Sequence, residues 1–110
     1  MKIFVDTKIY GIVYKITNLV NGKCYIGQTV ITINHRFSQH ISESNSKKPK
    51  FAISNAIKKY GKENFVIEQI DIAYNQKELN LLEGIYISWF KSMYNQNGYN
   101  IKNIIDGKGK

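Results

Sequence analysis

The chain has 110 residues and a formal net charge of +8, from 16 Lys and Arg against 8 Asp and Glu. This length predicts one domain that buries a core without disulfides or a structural metal. The uncharged stretches are too short for a membrane span, and Asp6 interrupts the N-terminal apolar run, which excludes a signal peptide. The single cysteine, Cys24, excludes an internal disulfide and a cysteine-rich zinc site, and it favours a reducing, cytoplasmic setting.

The excess of basic residues predicts an anionic partner, and nucleic acid is the leading candidate. The alternative is a basic soluble domain that has no particular ligand. Arg36 is the only arginine among the 16 basic residues. Because lysine is used everywhere else, this one arginine is a candidate functional residue.

The first predicted strand follows a short lead-in over residues 1–9. Tyr10–Thr17 is rich in β-branched and aromatic residues, which favour extended backbone. The two-residue period of a strand predicts that one face carries Tyr10, Ile12, Tyr14 and Ile16. Asn21-Gly22 then predicts the turn of a β-hairpin, and Lys23–Gln28 is its predicted returning strand.

Two helices are predicted after the hairpin. Thr32 is a predicted N-cap for a helix that ends near Ser44. Pro49 suits the first turn of a second helix over Lys50–Tyr60, which Gly61 ends. The predicted apolar side of this second helix consists of Phe51, Ile53, Ala56, Ile57 and Tyr60.

A third strand over Asn64–Ile72 and a third helix over Gln76–Met93 complete the predicted elements. The order β-β-α-α-β-α predicts an α+β domain, in which a three-stranded antiparallel sheet is flanked by three or more helices. We expect this domain to span residues 10–103. Residues 104–110 are predicted to form a flexible basic tail or the start of a linker.

Glu83 is an anomaly in the third predicted helix. Helical spacing places Glu83 on one face of this helix, together with Leu79, Tyr86 and Phe90. The adjoining face is apolar and carries Leu82, Ile85, Trp89 and Met93. An unpaired carboxylate within such an apolar stripe is costly. Glu83 is therefore either a boundary residue that reaches solvent or a lysine, or a functional group that binds a metal or acts as a general base.

Arg36 and His40 share one face of the first predicted helix, and His35 points away from it towards solvent. A guanidinium grips a phosphate through two parallel hydrogen bonds, which lysine cannot do; the alternative is that the position of the one arginine is accidental. Tyr14 and Tyr25 lie on the two arms of the hairpin, where packing is the simpler role. A tyrosine acts as a base at neutral pH only beside a cation or metal, because its ordinary pKa is about 10.

Several catalytic classes lack their signatures. The chain has three aspartates and no close carboxylate pair in the predicted helices, which disfavours a two-metal nuclease. It contains no glycine-rich phosphate loop, HExxH or CxxC motif.

As a set, these residues resemble the GIY-YIG nuclease family over residues 10–101. The stretches that carry the resemblance are Gly11–Asn18, Gly22–Thr29, Arg36–His40, Ala56–Gly61, Asn64-Phe65, Leu82-Glu83, Tyr86-Ile87 and Gly98–Asn100. Each is weak alone, but their order and spacing are specific, and the phage intron-homing enzymes look like the nearest branch. One departure is that Gly11 stands one place early in the first triplet, Ile12-Val13-Tyr14.

The resemblance implies a DNA endonuclease that hydrolyses phosphodiester bonds with one Mg²⁺ or Mn²⁺ ion and no small-molecule cofactor. The catalytic positions that it implies are Tyr14, Tyr25, Arg36, His40, Glu83 and Asn100, with Glu83 as the metal ligand. It further implies that Arg36 clamps the phosphate and that Tyr14, whose phenol nearby positive charge makes more acidic, is the general base. In this scheme Tyr25 and His40 orient Tyr14 and the attacking water by hydrogen bonding, and Asn100 positions the site. The alternative is a non-catalytic nucleic-acid-binding module of the same fold.

Double-stranded DNA is the expected partner of such a domain. Lysines in and after the segment between the first two helices are the predicted phosphate contacts, namely Lys47, Lys48, Lys50, Lys58 and Lys62. Some phage-type relatives carry a histidine before the second helix, where this chain has Lys47–Lys50. We expect an intracellular protein, phage- or mobile-element-encoded, that is either free-standing or the catalytic part of a longer nuclease.

Overall fold

The protein is described by a computed structural model over residues 8–101. Its strands and helices are β1 Gly11–Asn18, β2 Cys24–Thr29, α1 Ile33–Ser44, α2 Ala52–Tyr60, β3 Phe65–Ala73 and α3 Gln76–Phe90. This order confirms the predicted β-β-α-α-β-α arrangement and the α+β class. The predicted basic tail over 104–110 and the last two residues of the predicted domain lie outside the described residues, as does most of the predicted lead-in.

All three strands pair antiparallel in the order β2-β1-β3, which places β1 at the centre. Each strand begins and ends one residue later than predicted. In β1, Tyr14 and Ile16 are buried as expected, whereas Tyr10 precedes the strand and is exposed. A register shift between Val13 and Tyr14 interrupts the pairing of β1 with β3 near this point.

The sheet separates two apolar cores. On one face α1 and α2 enclose Tyr14, Ile16, Ile53, Ile57 and Phe65. On the other face α3 packs over Val13, Ile26, Ala73, Leu79 and Ile87. Because helices lie on both faces of the central strand, the neighbouring residues Val13 and Tyr14 are buried in opposite cores.

The helix α1 begins and ends as predicted. The Thr32 hydroxyl accepts the His35 N–H at 3.2 Å, which caps the first turn. His35 is exposed, as expected, whereas His40 is buried four residues after Arg36.

The prediction for α2 was wrong at its start. Phe51 has extended backbone, with φ −114° and ψ 149°, and lies before the helix, so Pro49 and Lys50 are not helical. The Asn55 amide donates to the carbonyls of Pro49 and Phe51, which holds this approach in place. Phe51 is 55% exposed, and so it does not belong to the apolar side of α2.

The prediction for α3 was wrong at its end and on one face. Lys91 adopts left-handed backbone, with φ 51°, and terminates the helix at Phe90, so Met93 lies outside it. Trp89 is 76% exposed and Ile85 is also exposed, because a helix that packs on one sheet face buries only one stripe. None of the helices in the described part of the chain is long and apolar enough to cross a membrane.

Candidate active site

Tyr14 lies at the centre of the candidate site. The central strand β1 directs its side chain into the core beneath α1 and α2, where it is fully buried. Its hydroxyl lies 2.8 Å from Nε2 of His40 on α1. Gly27 is its partner on β2, and a Cβ at Gly27 would overlap Cζ and Oη of Tyr14. A residue without a side chain at position 27 therefore allows the Tyr14 ring to lie across β2.

Tyr25 from β2 completes an aromatic cluster with Tyr14 and His40. The ring centroids of Tyr14 and Tyr25 are 6.3 Å apart, and both rings meet His40 edge to face, at 5.9 and 5.4 Å. These contacts bring together three residues from three elements. The cluster fixes the plane of the imidazole and the direction of the Tyr14 hydroxyl.

Arg36 lies one turn before His40 and borders an open cleft of about 290 Å³. Its Nη1 donates to Oε1 of Gln39 at 2.9 Å. The cleft is lined by Tyr25, Arg36, Gln39, His40, Glu43, Phe51, Ile53 and Ser54. A guanidinium at the edge of a cleft of this kind is placed to hold an anionic group that enters it.

Glu83 reaches the site from α3 and is only 7% exposed. Its Oε1 accepts from Nε2 of Gln28 at 2.8 Å. Within residues 8–101 the one ion pair closer than 4.0 Å joins Lys15 to Glu68, so Glu83 has no basic side chain at that range. The alternative in which Glu83 pairs with a lysine is therefore not what the structure shows.

Burial and charge shift the pKa values of Tyr14, Tyr25, His40 and Glu83. Burial is the main cause that raises the pKa of Glu83, while the Gln28 hydrogen bond and the Arg36 charge oppose it. Burial first, and then the Tyr25 charge, raises the pKa of Tyr14, and this outweighs the lowering by the charge and hydrogen bond of Arg36. The expectation that nearby positive charge makes the Tyr14 phenol more acidic was therefore wrong, because burial has the larger effect. Burial likewise raises the pKa of Tyr25, which the Glu83 charge raises further.

His40 shifts in the opposite direction, because burial penalises its charged form. Burial first, and then the Arg36 charge, lowers its pKa to about 4. At neutral pH the imidazole is therefore uncharged, and Nε2 can accept the Tyr14 proton if Nδ1 carries the ring hydrogen. Tyr14 and His40 therefore form a neutral, hydrogen-bonded pair at neutral pH.

Asn100 holds the backbone of β2. Its Oδ1 accepts from the Ile26 N–H at 2.8 Å and from Oγ of Ser92 at 2.6 Å, and its Nδ2 donates to the Ile26 carbonyl at 2.8 Å. Ile26 stands between Tyr25 and Gly27 in the sequence. The side chain of Asn100 thus fixes the strand that carries Tyr25.

The five predicted phosphate-binding lysines divide into two groups. Lys47, Lys48 and Lys50 are exposed between α1 and α2, and the Lys50 N–H donates to Glu43, which lines the cleft. Lys58 donates from Nζ to the carbonyl of Ser46 at 2.8 Å and to that of Lys47 at 3.4 Å. Lys58 and Lys62 border a different hollow, so they are not brought to the cleft.

Gln28 is the contact that sequence reasoning missed. It stands on β2 two residues after Ile26, so strand alternation directs both side chains towards α3. The same alternation could have placed Gln28 near Glu83 before the structure was known. The amide of Gln28 neither ionises nor acts as a nucleophile, so its residue type alone does not indicate a site.

Comparison with known proteins agrees with this arrangement. A family model described as the GIY-YIG catalytic domain matches residues 10–100. The uncharacterized protein 019R of Invertebrate iridescent virus 6 is 37% identical over 92 residues, which are 82% of this chain and 33% of that protein. A putative MSV199 domain-containing protein, 146R, of the same virus is 31% identical over 97 residues, 86% of this chain and 38% of that protein.

Two solved structures share the fold. The catalytic domain of the homing endonuclease I-TevI superposes with a TM-score of 0.71 at 22% identity, over 84% of this chain and 98% of that domain. A mutant catalytic domain of the intron endonuclease I-TevI superposes with a TM-score of 0.73 at 21% identity, over 84% of this chain and 94% of that domain.

The family match over residues 10–100 defines the class as a GIY-YIG catalytic domain. The chain belongs to the GIY-YIG family. It spans about a third of the length of the curated relatives that it matches.

Proposed function

We propose that this domain is a DNA endonuclease that hydrolyses phosphodiester bonds with the help of one divalent cation. The observation that carries the proposal is the buried contact between the Tyr14 hydroxyl and His40. It is supported by the positive charge of Arg36 and the buried carboxylate of Glu83, which both influence the pKa of Tyr14. A proton acceptor, an anion-binding group and a cation-binding group are the parts that phosphodiester hydrolysis needs.

Glu83 is the residue that would hold the cation. It is a buried carboxylate without a basic partner among the described residues, so a bound cation would offset a charge that is now costly. Oxygen ligands of this kind suit Mg²⁺ or Mn²⁺, and Mg²⁺ is commonly held by one or two carboxylates plus water. When bound there, the ion would supply positive charge to the scissile phosphate and to the leaving oxygen.

Arg36 holds the phosphate in this proposal. Its planar guanidinium can donate two hydrogen bonds to the non-bridging oxygens, and its position at the edge of the cleft leaves it accessible to DNA. The developing negative charge of the transition state strengthens these bonds relative to the ground state.

Tyr14 accepts the proton of the attacking water in this proposal. Its raised pKa keeps the hydroxyl protonated at neutral pH, so it can accept a proton only as its own moves on. Neutral His40, 2.8 Å away, is the acceptor for that proton. One O–H bond of water breaks, one forms at Tyr14, and the former Tyr14 proton moves to Nε2 of His40. As the water oxygen bonds to phosphorus, the bond from phosphorus to the leaving oxygen breaks, and that oxygen takes up a proton from solvent. Tyr25, in edge contact with His40, keeps the imidazole in place for this transfer.

DNA is the proposed substrate. The net charge of +8 attracts a polyanion, and the backbone of Lys50, in the exposed lysine segment between α1 and α2, contacts Glu43 at the cleft. The likeness to an intron-encoded homing endonuclease supports the same choice.

Cleavage of supercoiled plasmid tests the proposal. Wild-type protein should convert supercoiled to nicked or linear DNA with Mg²⁺ and not with excess EDTA. Tyr14→Phe should lower the rate by roughly a hundredfold or more, because a positioned general base contributes about 10²–10⁴-fold. Tyr74→Phe, which changes an exposed tyrosine, is the matched control and should cleave normally. DNA binding without Mg²⁺-dependent cleavage would contradict the proposal and favour a non-catalytic binding module.

A further inference from the structure

We propose that Gln28 is a positioning residue that orients the Glu83 carboxylate for the divalent cation. This inference rests on the proposed function, in which Glu83 is the metal ligand. It starts from the contact between Nε2 of Gln28 and Oε1 of Glu83, at 2.8 Å. Gln28 lies on β2, an edge strand of the sheet, and Glu83 lies on α3, so the contact crosses from one element to another.

A polar seam holds the amide of Gln28 in one orientation. The seam consists of Gln28 on β2 and three residues at helical spacing on α3, namely Gln76, Asn80 and Glu83. Nε2 of Gln28 donates to Oδ1 of Asn80 at 2.9 Å as well as to Glu83. Oε1 of Gln28 accepts from Nε2 of Gln76 at 2.8 Å.

The remaining contacts of the seam make a flipped amide unfavourable. Gln76 also donates to Oδ1 of Asn80 at 2.7 Å, and the Tyr10 hydroxyl donates to Oε1 of Gln76 at 2.8 Å. If the Gln28 amide turned over, its oxygen would face the oxygens of Asn80 and Glu83, and its NH₂ would face that of Gln76. Like groups would then meet at all three contacts, so the seam selects the orientation that donates to Glu83.

This donation engages one oxygen of the carboxylate and restricts its rotation. A metal ligand held by a hydrogen bond from a neighbouring side chain keeps the geometry that the ion needs, and loss of such a partner typically lowers metal affinity or activity by about 10–100-fold. The rival explanation is that the seam only attaches α3 to the edge of the sheet. The two explanations differ in whether the effect of Gln28 is specific to the cation.

The test compares Gln28→Met with Tyr86→Phe. Methionine has a similar length to glutamine and cannot donate, so this change removes the contact with Glu83. Tyr86→Phe removes another hydrogen bond between α3 and the sheet, from the Tyr86 hydroxyl to Oδ2 of Asp71 at 2.8 Å, without touching Glu83. Mn²⁺ binding to each free protein is measured by electron paramagnetic resonance, and the Mg²⁺ dependence of plasmid nicking is measured beside it.

We expect the Mn²⁺ Kd of Gln28→Met to rise about tenfold, together with the Mg²⁺ concentration at half-maximal rate. Tyr86→Phe should change both by less than about twofold. Thermal melting verifies that each variant folds, and Gln28→Ser serves if the methionine variant does not. Equal losses in Gln28→Met and Tyr86→Phe, or an unchanged Mn²⁺ Kd in Gln28→Met, would overturn the inference. If the wild type neither bound Mn²⁺ nor cleaved DNA, the proposed function itself would fall, and this inference with it.

Discussion

At the scale of single residues, His40 shows how burial keeps an imidazole neutral. An ordinary imidazole is partly charged near neutral pH, but the interior position of His40 and the nearby Arg36 charge lower its pKa to about 4. The neutral ring is the form that can accept a proton from Tyr14. The same burial makes the folded protein sensitive to acid, because protonation of His40 is penalised only in the folded state.

The free energy of unfolding should therefore decrease as the pH is lowered through the range in which His40 becomes protonated. Its pKa is lower in the folded state than in the unfolded chain, where it is about 6.5, so acid stabilises the unfolded state preferentially. Between pH 6.5 and 4 this one residue should remove about 2–3 kcal/mol of unfolding free energy. Glu83 works in the opposite direction because its pKa is raised, so a variant must isolate the histidine.

Thermal melting of wild type and His40→Gln at pH 7 and 4.5 isolates it. Glutamine does not titrate, so the Tm of the wild type should drop more on acidification, by on the order of 10 °C. His35→Gln, which changes an exposed histidine on the same helix, should behave as the wild type does. Parallel drops in Tm for wild type and His40→Gln would show that His40 is not the source of the acid sensitivity.

At the scale of elements, the pairing of β1 with β2 makes room for the site. Tyr14 faces Gly27 across the two strands, and the ring occupies the space that a side chain at position 27 would need. Gly22, in the hairpin loop, is different, because nothing lies within 4 Å of a Cβ there and only its positive φ of 76° disfavours other residues. Gly27 is therefore required by the packing of Tyr14, whereas Gly22 is required by the backbone conformation of the hairpin loop.

Gly27→Ala should displace Tyr14 and so lower the cleavage rate of the folded protein, in addition to lowering the free energy of unfolding. The overlap should cost about 1–3 kcal/mol of folding free energy, as overpacking usually does. Gly22→Ala should cost about 1–2 kcal/mol through backbone strain and leave the cleavage rate per folded molecule unchanged. Denaturant unfolding and plasmid nicking of both variants provide the comparison. Wild-type cleavage by Gly27→Ala would contradict the packing described for Tyr14.

Local sequence patterns predicted where strands and helices begin and end better than they predicted which side chains are buried. Turn and cap residues such as Asn21-Gly22, Thr32 and Gly61 located the elements to within one or two residues, because their chemistry is local. The outward position of Trp89 could not be predicted in this way. Hydrophobicity does not tell how much of an amphipathic helix its sheet will cover.

The candidate site was predictable to a similar extent. A resemblance of motifs indicated which residues would meet, and the structure brings Tyr14, Tyr25 and His40 into contact. The hydrogen bonds between particular site residues could not be predicted from the sequence, because they depend on how side chains from different strands and helices are oriented. The hydrogen bonds of Asn100 to Ile26 and of Gln28 to Glu83 are of this kind.

At the scale of the whole molecule, exposed lysines lie on both sides of the sheet, and only some of them lie on the side that carries the cleft. Lys47, Lys48 and Lys50 lie between α1 and α2, on the cleft side of the sheet, whereas Lys77 is exposed on α3, across the sheet. A lysine that contacts a phosphate contributes about 0.9 to the slope of log affinity against log salt concentration.

Single changes of the three loop lysines to glutamine should each weaken DNA binding at low salt and flatten this slope by about one. Lys77→Gln should leave the slope at its wild-type value. Fluorescence anisotropy with a labelled duplex, measured in EDTA over a range of NaCl concentrations, gives both quantities. Slopes that are equal in all four variants and the wild type would show that DNA does not approach from the loop.

The central claim is that one buried carboxylate binds the cation on which DNA cleavage depends. Glu83→Gln tests it most directly, because glutamine keeps the size of the side chain and can still accept from Gln28, but it loses the negative charge. The measurement is the rate of supercoiled plasmid cleavage in saturating Mg²⁺, beside the affinity for the same DNA in EDTA. We predict a rate loss of at least about a hundredfold, since charge stabilisation by a bound ion is worth several kcal/mol, and an affinity within about twofold of the wild type. Cleavage by Glu83→Gln at the wild-type rate would contradict the account.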